Sequence, residues 1–190
     1  MNNKTKKIVG IGLLTAIVAV LQSLAVGIKF GPFSVTFVLI PIVVGAALYG
    51  WIAGAWLGFI FGMIVLFTDA GAFLAVSVPG TIVTCLLKGI MAGLVAGLIY
   101  NALKKVNNFA AVLVAAISAP IVNTGIFLLG CRLFFYETIK GWAVATGFEN
   151  VGAYMLFGLV GLNFLVEMAV NVVLSVVIVR IINIGKKTLL

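Results

Sequence analysis

Residues 37–67 run for 31 positions without a single charged side chain, and this stretch limits most severely what the chain can become. As one straight helix it would be about 46 Å long, well beyond the ~30 Å hydrocarbon core of a bilayer. It is nevertheless too short for two full spans. Tyr49-Gly50-Trp51 interrupts it, placing two interface-preferring aromatics around a helix breaker. The run therefore predicts two short helices, 37–48 and 51–67, joined by a tight cytoplasmic turn. Short, broken helices inside a bundle line something more often than they face lipid.

The rest of the chain follows the same rule. Of the 190 residues, 64% are hydrophobic and 8% charged, whereas soluble domains carry roughly 25% charged residues. A polar surface cannot be drawn over that much apolar side chain, which excludes a water-soluble globular fold; disorder demands the opposite composition. Residues 8–28 form a first apolar run after three lysines. Ser23-Leu24-Ala25 imitates a signal-peptide cleavage site, but the run continues past the usual apolar length of such a peptide and reads as an uncleaved anchor. Residues 29–36 form a loop with a Gly31-Pro32 turn, and 68–78 a semi-polar external loop. Pro79-Gly80 opens a helix over 80–103, residues 104–108 turn on the inner side, and 109–136 form a helix with Pro120 near its middle. An external loop, 137–152, holds Trp142 and Glu149, and a last helix covers 153–183. The expected architecture is an all-α integral membrane protein, a single six-helix membrane domain over residues 1–190 with both N and C termini cytoplasmic. Basic residues support that orientation: Lys4, Lys6, Lys7, Lys104, Lys105, Arg180, Lys186 and Lys187 all fall at the inner side.

Several functions are excluded by what is missing. No Gly-x-x-x-x-Gly-Lys-Ser/Thr motif occurs, so the chain does not hydrolyse ATP by itself. Histidine is absent, which removes the commonest general base and any histidine-bearing metal site. With no nucleophile–base constellation, an enzyme is not expected, and no cofactor or metal is implied. The net charge of +8 is membrane topology rather than a nucleic-acid surface. Cys85 and Cys131 sit in apolar surroundings and read as packing residues.

Small residues recur every four positions at Gly50, Gly54, Gly58 and Gly62, and again at Gly89, Gly93 and Gly97. Each set lies on one helix face and reads as a groove for a neighbouring backbone. Gly12 and Ala16 make a shorter pair, open to packing within the chain or against another subunit. On the last helix Asn163, Glu167 and Asn171 share a face. A charge near mid-membrane costs at least ~2.5 kcal/mol, so Glu167 must face the interior and a partner. Asn123 lies one turn after Pro120, whose ring frees the Ala116 carbonyl, and Lys88 is the basic residue well inside an apolar run. These groups allow two readings: a closed Lys88–Glu167 ion pair braced by asparagines, or a substrate pocket beneath an external opening. The polar groups exceed what helix packing needs, which favours the pocket. Arg132 and Tyr136 serve either as interfacial anchors or at the pocket mouth, and Trp142 as anchor or lid.

Together these segments resemble the substrate-binding S components of energy-coupling factor (ECF) transporters, which capture vitamins in prokaryotes. The resemblance rests on residues 37–50, on Gly54-Ala-Trp-Leu-Gly-Phe-Ile-Phe-Gly62, on Leu87-Lys-Gly-Ile-Met-Ala-Gly-Leu-Val-Ala-Gly97, on Pro120-Ile-Val-Asn-Thr-Gly-Ile-Phe127 and on Asn163-x-x-x-Glu167. It implies a six-helix bundle in the prokaryotic cell membrane with a pocket near the outer face, closed by loops 29–36 and 68–78. It also implies docking on one transmembrane coupling subunit and two ATPases, with Gly12 and Ala16 standing where the family has an Ala-x-x-x-Ala docking pair. Asn123, Asn163, Glu167 and Lys88 are the expected substrate contacts, with Asn171, Arg132 and Tyr136 beside them. The pattern is most similar to the pantothenate and pyrimidine/pyridoxine group. A pantothenate anion would want Lys88 or Arg132 and an amine-bearing ligand Glu167 or Asp69; pantothenate is favoured, with pyridoxine and riboflavin as other vitamins of the class. A self-sufficient ion-coupled carrier or channel is the alternative, although no inverted repeat is visible.

Overall fold

The two glycine stripes meet. A computed structural model describes residues 3–25, 29–30, 33–34 and 37–189, with side chains over 3–25 and 37–185. In it α3 (Trp51–Thr68) and α5 (Val78–Leu103) lie antiparallel at backbone contact. A Cβ placed on Gly54 would collide with the carbonyl of Gly93, one on Gly58 with that of Gly89, and one on Gly62 with that of Cys85. Gly89 and Gly93 meet Gly58 and Gly54 in the same way from the other side. Lipid offers helices no hydrophobic incentive to associate, so such close backbone packing is what holds them.

Around this pair stand α1 (Asn3–Ala25), α2 (Leu39–Tyr49), α6 (Asn108–Phe134) and α9 (Gly161–Leu189). Among the described residues, five helices are long and apolar enough to cross a membrane: Asn3–Ala25, Trp51–Thr68, Val78–Leu103, Asn108–Phe134 and Gly161–Gly185. The sixth helix of the expected bundle, α2, is as short as the 37–67 run required: its 11 residues reach only about 16 Å. Its Leu39, Ile42, Val43, Val44 and Ala46 are buried, so it is a half-span set inside the bundle. The turn expected at Tyr49-Gly50-Trp51 is present: α2 ends at Tyr49, Gly50 has φ +98°, and α3 starts at Trp51. That backbone conformation strains any residue with a side chain.

Three further expectations change. The loop over 68–78 contains a short helix, α4 (Gly71–Leu74). The loop over 137–152 is largely α7 (Tyr136–Ala145), which buries Ile139 and Ala143 one turn apart; its polar residues mark the outer side of an amphipathic helix rather than an open loop. The last helix is not continuous over 153–183. It begins as α8 (Val151–Ala153), widens into a π-turn (Tyr154–Leu159), breaks at Val160 and restarts as α9 at Gly161. In the 29–36 loop, β1 (Lys29–Phe30) pairs antiparallel with β2 (Phe33–Ser34), Phe30 opposite Phe33. The Gly31-Pro32 turn lies outside the described residues.

Helix order brings both ends of the chain to one end of the bundle, together with the α2–α3 and α5–α6 turns. There the Tyr100 hydroxyl donates to Asn108 Oδ1 at 2.9 Å, and Asn108 Nδ2 donates to Asn183 Oδ1 at 3.1 Å, tying α5, α6 and α9. Tyr100→Phe is expected to cost about 1 kcal/mol, read as a lower thermal unfolding midpoint in detergent. Asn107 caps α6, its side chain accepting from the Phe109 and Ala110 N–H groups. At the opposite end an aromatic cluster closes the bundle. Phe73 of α4 packs edge-on against Phe127, Phe135 and Trp142, with ring centroids 5.7, 4.9 and 5.5 Å away. Trp142, open to the role of anchor or lid, is half-buried in this cluster.

Candidate functional site

Beneath that aromatic cap, at the end of the bundle away from the chain termini, lies a cavity of about 540 Å³ of empty space counting its mouth. About 60 Å³ of this takes the centre of a water-sized sphere. Phe61 and Val65 of α3 and Asp69 just beyond it form one wall, and Lys88 of α5 another. Asn123, Thr124 and Phe127 come from α6, and Asn163, Phe164 and Glu167 from α9, with Val160 at the break above them. Gln22 reaches in from α1.

The four expected contacts Lys88, Asn123, Asn163 and Glu167 are thus brought to one hollow. Asn163 and Glu167 are both buried, as the shared face of a helix predicts. The break at Val160 sets where that face begins. The π-turn shifts the helical register, so Tyr154, Met155 and Leu159 pack into the aromatic cap while Asn163, just beyond, turns to the cavity. The Phe164 N–H donates to the Val160 carbonyl at 2.8 Å, closing the first turn of the restarted helix.

Lys88 is half-buried, its ammonium 5.7 Å from the centroid of the Phe61 ring and 5.3 Å from that of Phe127. Ring faces stabilise a cation without neutralising it, so the positive charge remains to act on whatever enters. Lys88 and Glu167 both stand in the walls of this hollow.

Gln22 was missed by sequence reasoning. It is 1% exposed; its Nε2 donates to Asp69 Oδ2 at 3.1 Å while its Oε1 has no hydrogen-bond partner. Asn123 Oδ1 is likewise buried without a donor. Gln22 is the amide of the first apolar run, which was a usable signal, but nothing local links it to Asp69, 47 positions away. Buried acceptors left without donors cost about 1–3 kcal/mol each, and two of the residues that line the cavity carry one.

Three expected contacts are placed elsewhere. Asn171 is fully buried one turn below Glu167, but its Nδ2 donates back to the Glu167 carbonyl at 2.8 Å and it does not line the cavity. Arg132 and Tyr136 line a different hollow with Glu149 and Asn150, which shares no residue with the first. There the Arg132 guanidinium stacks 4.3 Å above the Tyr136 ring.

A sequence profile of the family described as "ECF transporter, substrate-specific component" matches residues 6–179. The chain belongs to this family. It is a transporter's substrate-specific subunit, with helices suited to a multi-pass membrane protein, and not an enzyme. The pantothenic acid transporter PanT of Lactococcus lactis subsp. cremoris (strain MG1363) is 28% identical to this S component over 169 residues, covering 80% of each chain. No solved structure matches the S component significantly.

Proposed function

We propose that this S component captures pantothenate and delivers it inward together with one transmembrane coupling subunit and two ATPases in a prokaryotic plasma membrane. The observation that carries the ligand is the cavity's combination of an ammonium with two orphaned amide oxygens, Gln22 Oε1 and Asn123 Oδ1. Pantothenate offers a carboxylate to Lys88 and N–H and O–H donors to the two amides. Asn163 and Glu167 add hydrogen-bonding capacity for its hydroxyls. Pyridoxine and riboflavin carry no carboxylate and would leave the Lys88 charge unmatched. The similarity to PanT points the same way.

The orientation follows from charge. Lys4, Lys6, Lys7, Lys104, Lys105 and Arg180 belong to the end of the bundle remote from the cavity, and basic residues stay on the cytoplasmic side. The cavity then opens outward. Gly12 and Ala16 suit the docking role: both are exposed on α1, and a Cβ on Gly12 would meet nothing within 4 Å. Leu13 and Ile17 beside them are exposed too, at 63% and 38%. These four make a small-residue seam that packing within the chain leaves uncovered.

The test is native mass spectrometry of protein purified without added ligand, followed by calorimetric titration. A co-purified mass equal to pantothenate is expected. Glu167→Gln should weaken binding about 10-fold, the worth of a hydrogen bond to a charged group. Binding of another vitamin with pantothenate ignored would overturn the ligand. Sustained uptake by the purified chain alone in liposomes would overturn the S-component role in favour of a self-sufficient carrier.

A further inference from the structure

A second, smaller hollow adjoins the Lys88 cavity. Val65, Asp69, Lys88 and Phe127 line both, so the two share a wall. Beyond that wall the smaller one is enclosed by Phe73, Phe135, Ala70 and Cys85, with Thr84 on its α5 side. About 20 Å³ of it takes the centre of a water-sized sphere, and roughly 10–15 Å³ of such space seats one water. The annex therefore holds one water or a group of one or two carbons.

Its chemistry favours the carbons. A buried water needs two to four polar partners, and the far wall is mostly ring and alkyl. The Thr81 hydroxyl there donates to the Ser77 carbonyl at 2.7 Å. One polar atom stands out: Thr84 Oγ, on a residue 3% exposed, has no hydrogen-bond partner. A mid-helix threonine usually bonds a carbonyl one turn back, and this one does not. It turns toward Gly130 of α6, where a Cβ would collide with it.

We infer that the annex is a specificity subsite: it receives the methyl carbons of a compact, branched apolar group whose branch point stays in the Lys88 cavity. The inference rests on the reading of the Lys88 cavity as the ligand site. It defines the ligand class further, as a small anion with a branched carbon. In pantothenate the group concerned is the dimethyl carbon of the pantoyl half.

The experiment compares pantothenate with its analogue lacking both methyls, by calorimetry on the purified full chain. The branched ligand should bind about 15-fold more tightly, the transfer worth of two buried methyls. Ala70→Val adds two carbons where the annex has room for them and should remove most of that preference, with an unchanged size-exclusion profile certifying that the variant is folded. Equal affinity of the wild-type chain for the two ligands would overturn the annex and leave the proposed function standing. An Ala70→Val loss shared equally by both ligands would also overturn it. Failure of the wild-type chain to bind either ligand would overturn the pantothenate reading and the annex with it.

Discussion

Gly58→Val is expected to abolish the folded bundle. The new side chain would be driven into the carbonyl of Gly89, a backbone atom with no rotamer to escape into. Overpacking against movable side chains costs about 1–3 kcal/mol. Against backbone, α3 and α5 must separate and give up the contacts that hold them, a loss of several kcal/mol out of a total stability on the order of 5–15 kcal/mol. Phe61, Val65 and Lys88 ride on these two helices, so ligand binding should vanish with the fold. Size-exclusion chromatography in mild detergent should show aggregate in place of a monodisperse peak. Gly12→Val is the matched control: the same substitution on a lipid-exposed face with nothing within 4 Å should leave the peak and ligand affinity unchanged. A monodisperse, ligand-binding Gly58→Val protein would refute the glycine packing.

Lys88→Met should give the largest loss of affinity that leaves the fold intact. Methionine keeps the length and apolar stem, so the contacts with Phe61 and Phe127 persist, sulfur being a good neighbour for rings. Only the charge goes. Truncating one partner of a buried charge pair costs about 2–5 kcal/mol, so pantothenate binding should weaken about 30- to 5,000-fold in a calorimetric titration. The thermal midpoint of the ligand-free protein should hold steady or rise, because an unneutralised charge has left a low-dielectric site. Unchanged affinity would make the lysine a structural element and remove the main argument for an anionic ligand.

Much of the site is visible in the linear pattern because α-helical periodicity is local. Asn163 and Glu167 share a face by their spacing of four, and both line the cavity. Lys88 and Asn123 stand out as polar groups inside apolar runs, where solvation by lipid is too poor to leave them unused. Asn171 has the same spacing and burial but bonds its own helix, since depth along the bundle, not face alone, decides whether a side chain meets the cavity. Arg132 and Tyr136 lie near the right end of α6, yet they face another hollow. The helix α7 escaped because it is only ten residues long and buries just Ile139 and Ala143, with Glu137 and Lys140 beside them.

What the sequence determined by itself is the solvent, the long apolar helices and the glycine faces on which they pack closely. Apolar runs demand lipid, lengths set which of them span it, and glycines every four residues leave only backbone to pack against backbone. These are properties of composition and of one helix at a time. The tertiary structure alone decided that Gln22 meets Asp69 across 47 residues, that a π-turn and a break at Val160 aim Asn163 at the cavity, and that the rings of Phe61 and Phe127 flank Lys88. Each depends on which faces of separate helices come together, a choice made by shape complementarity over the whole bundle, which no local periodicity encodes.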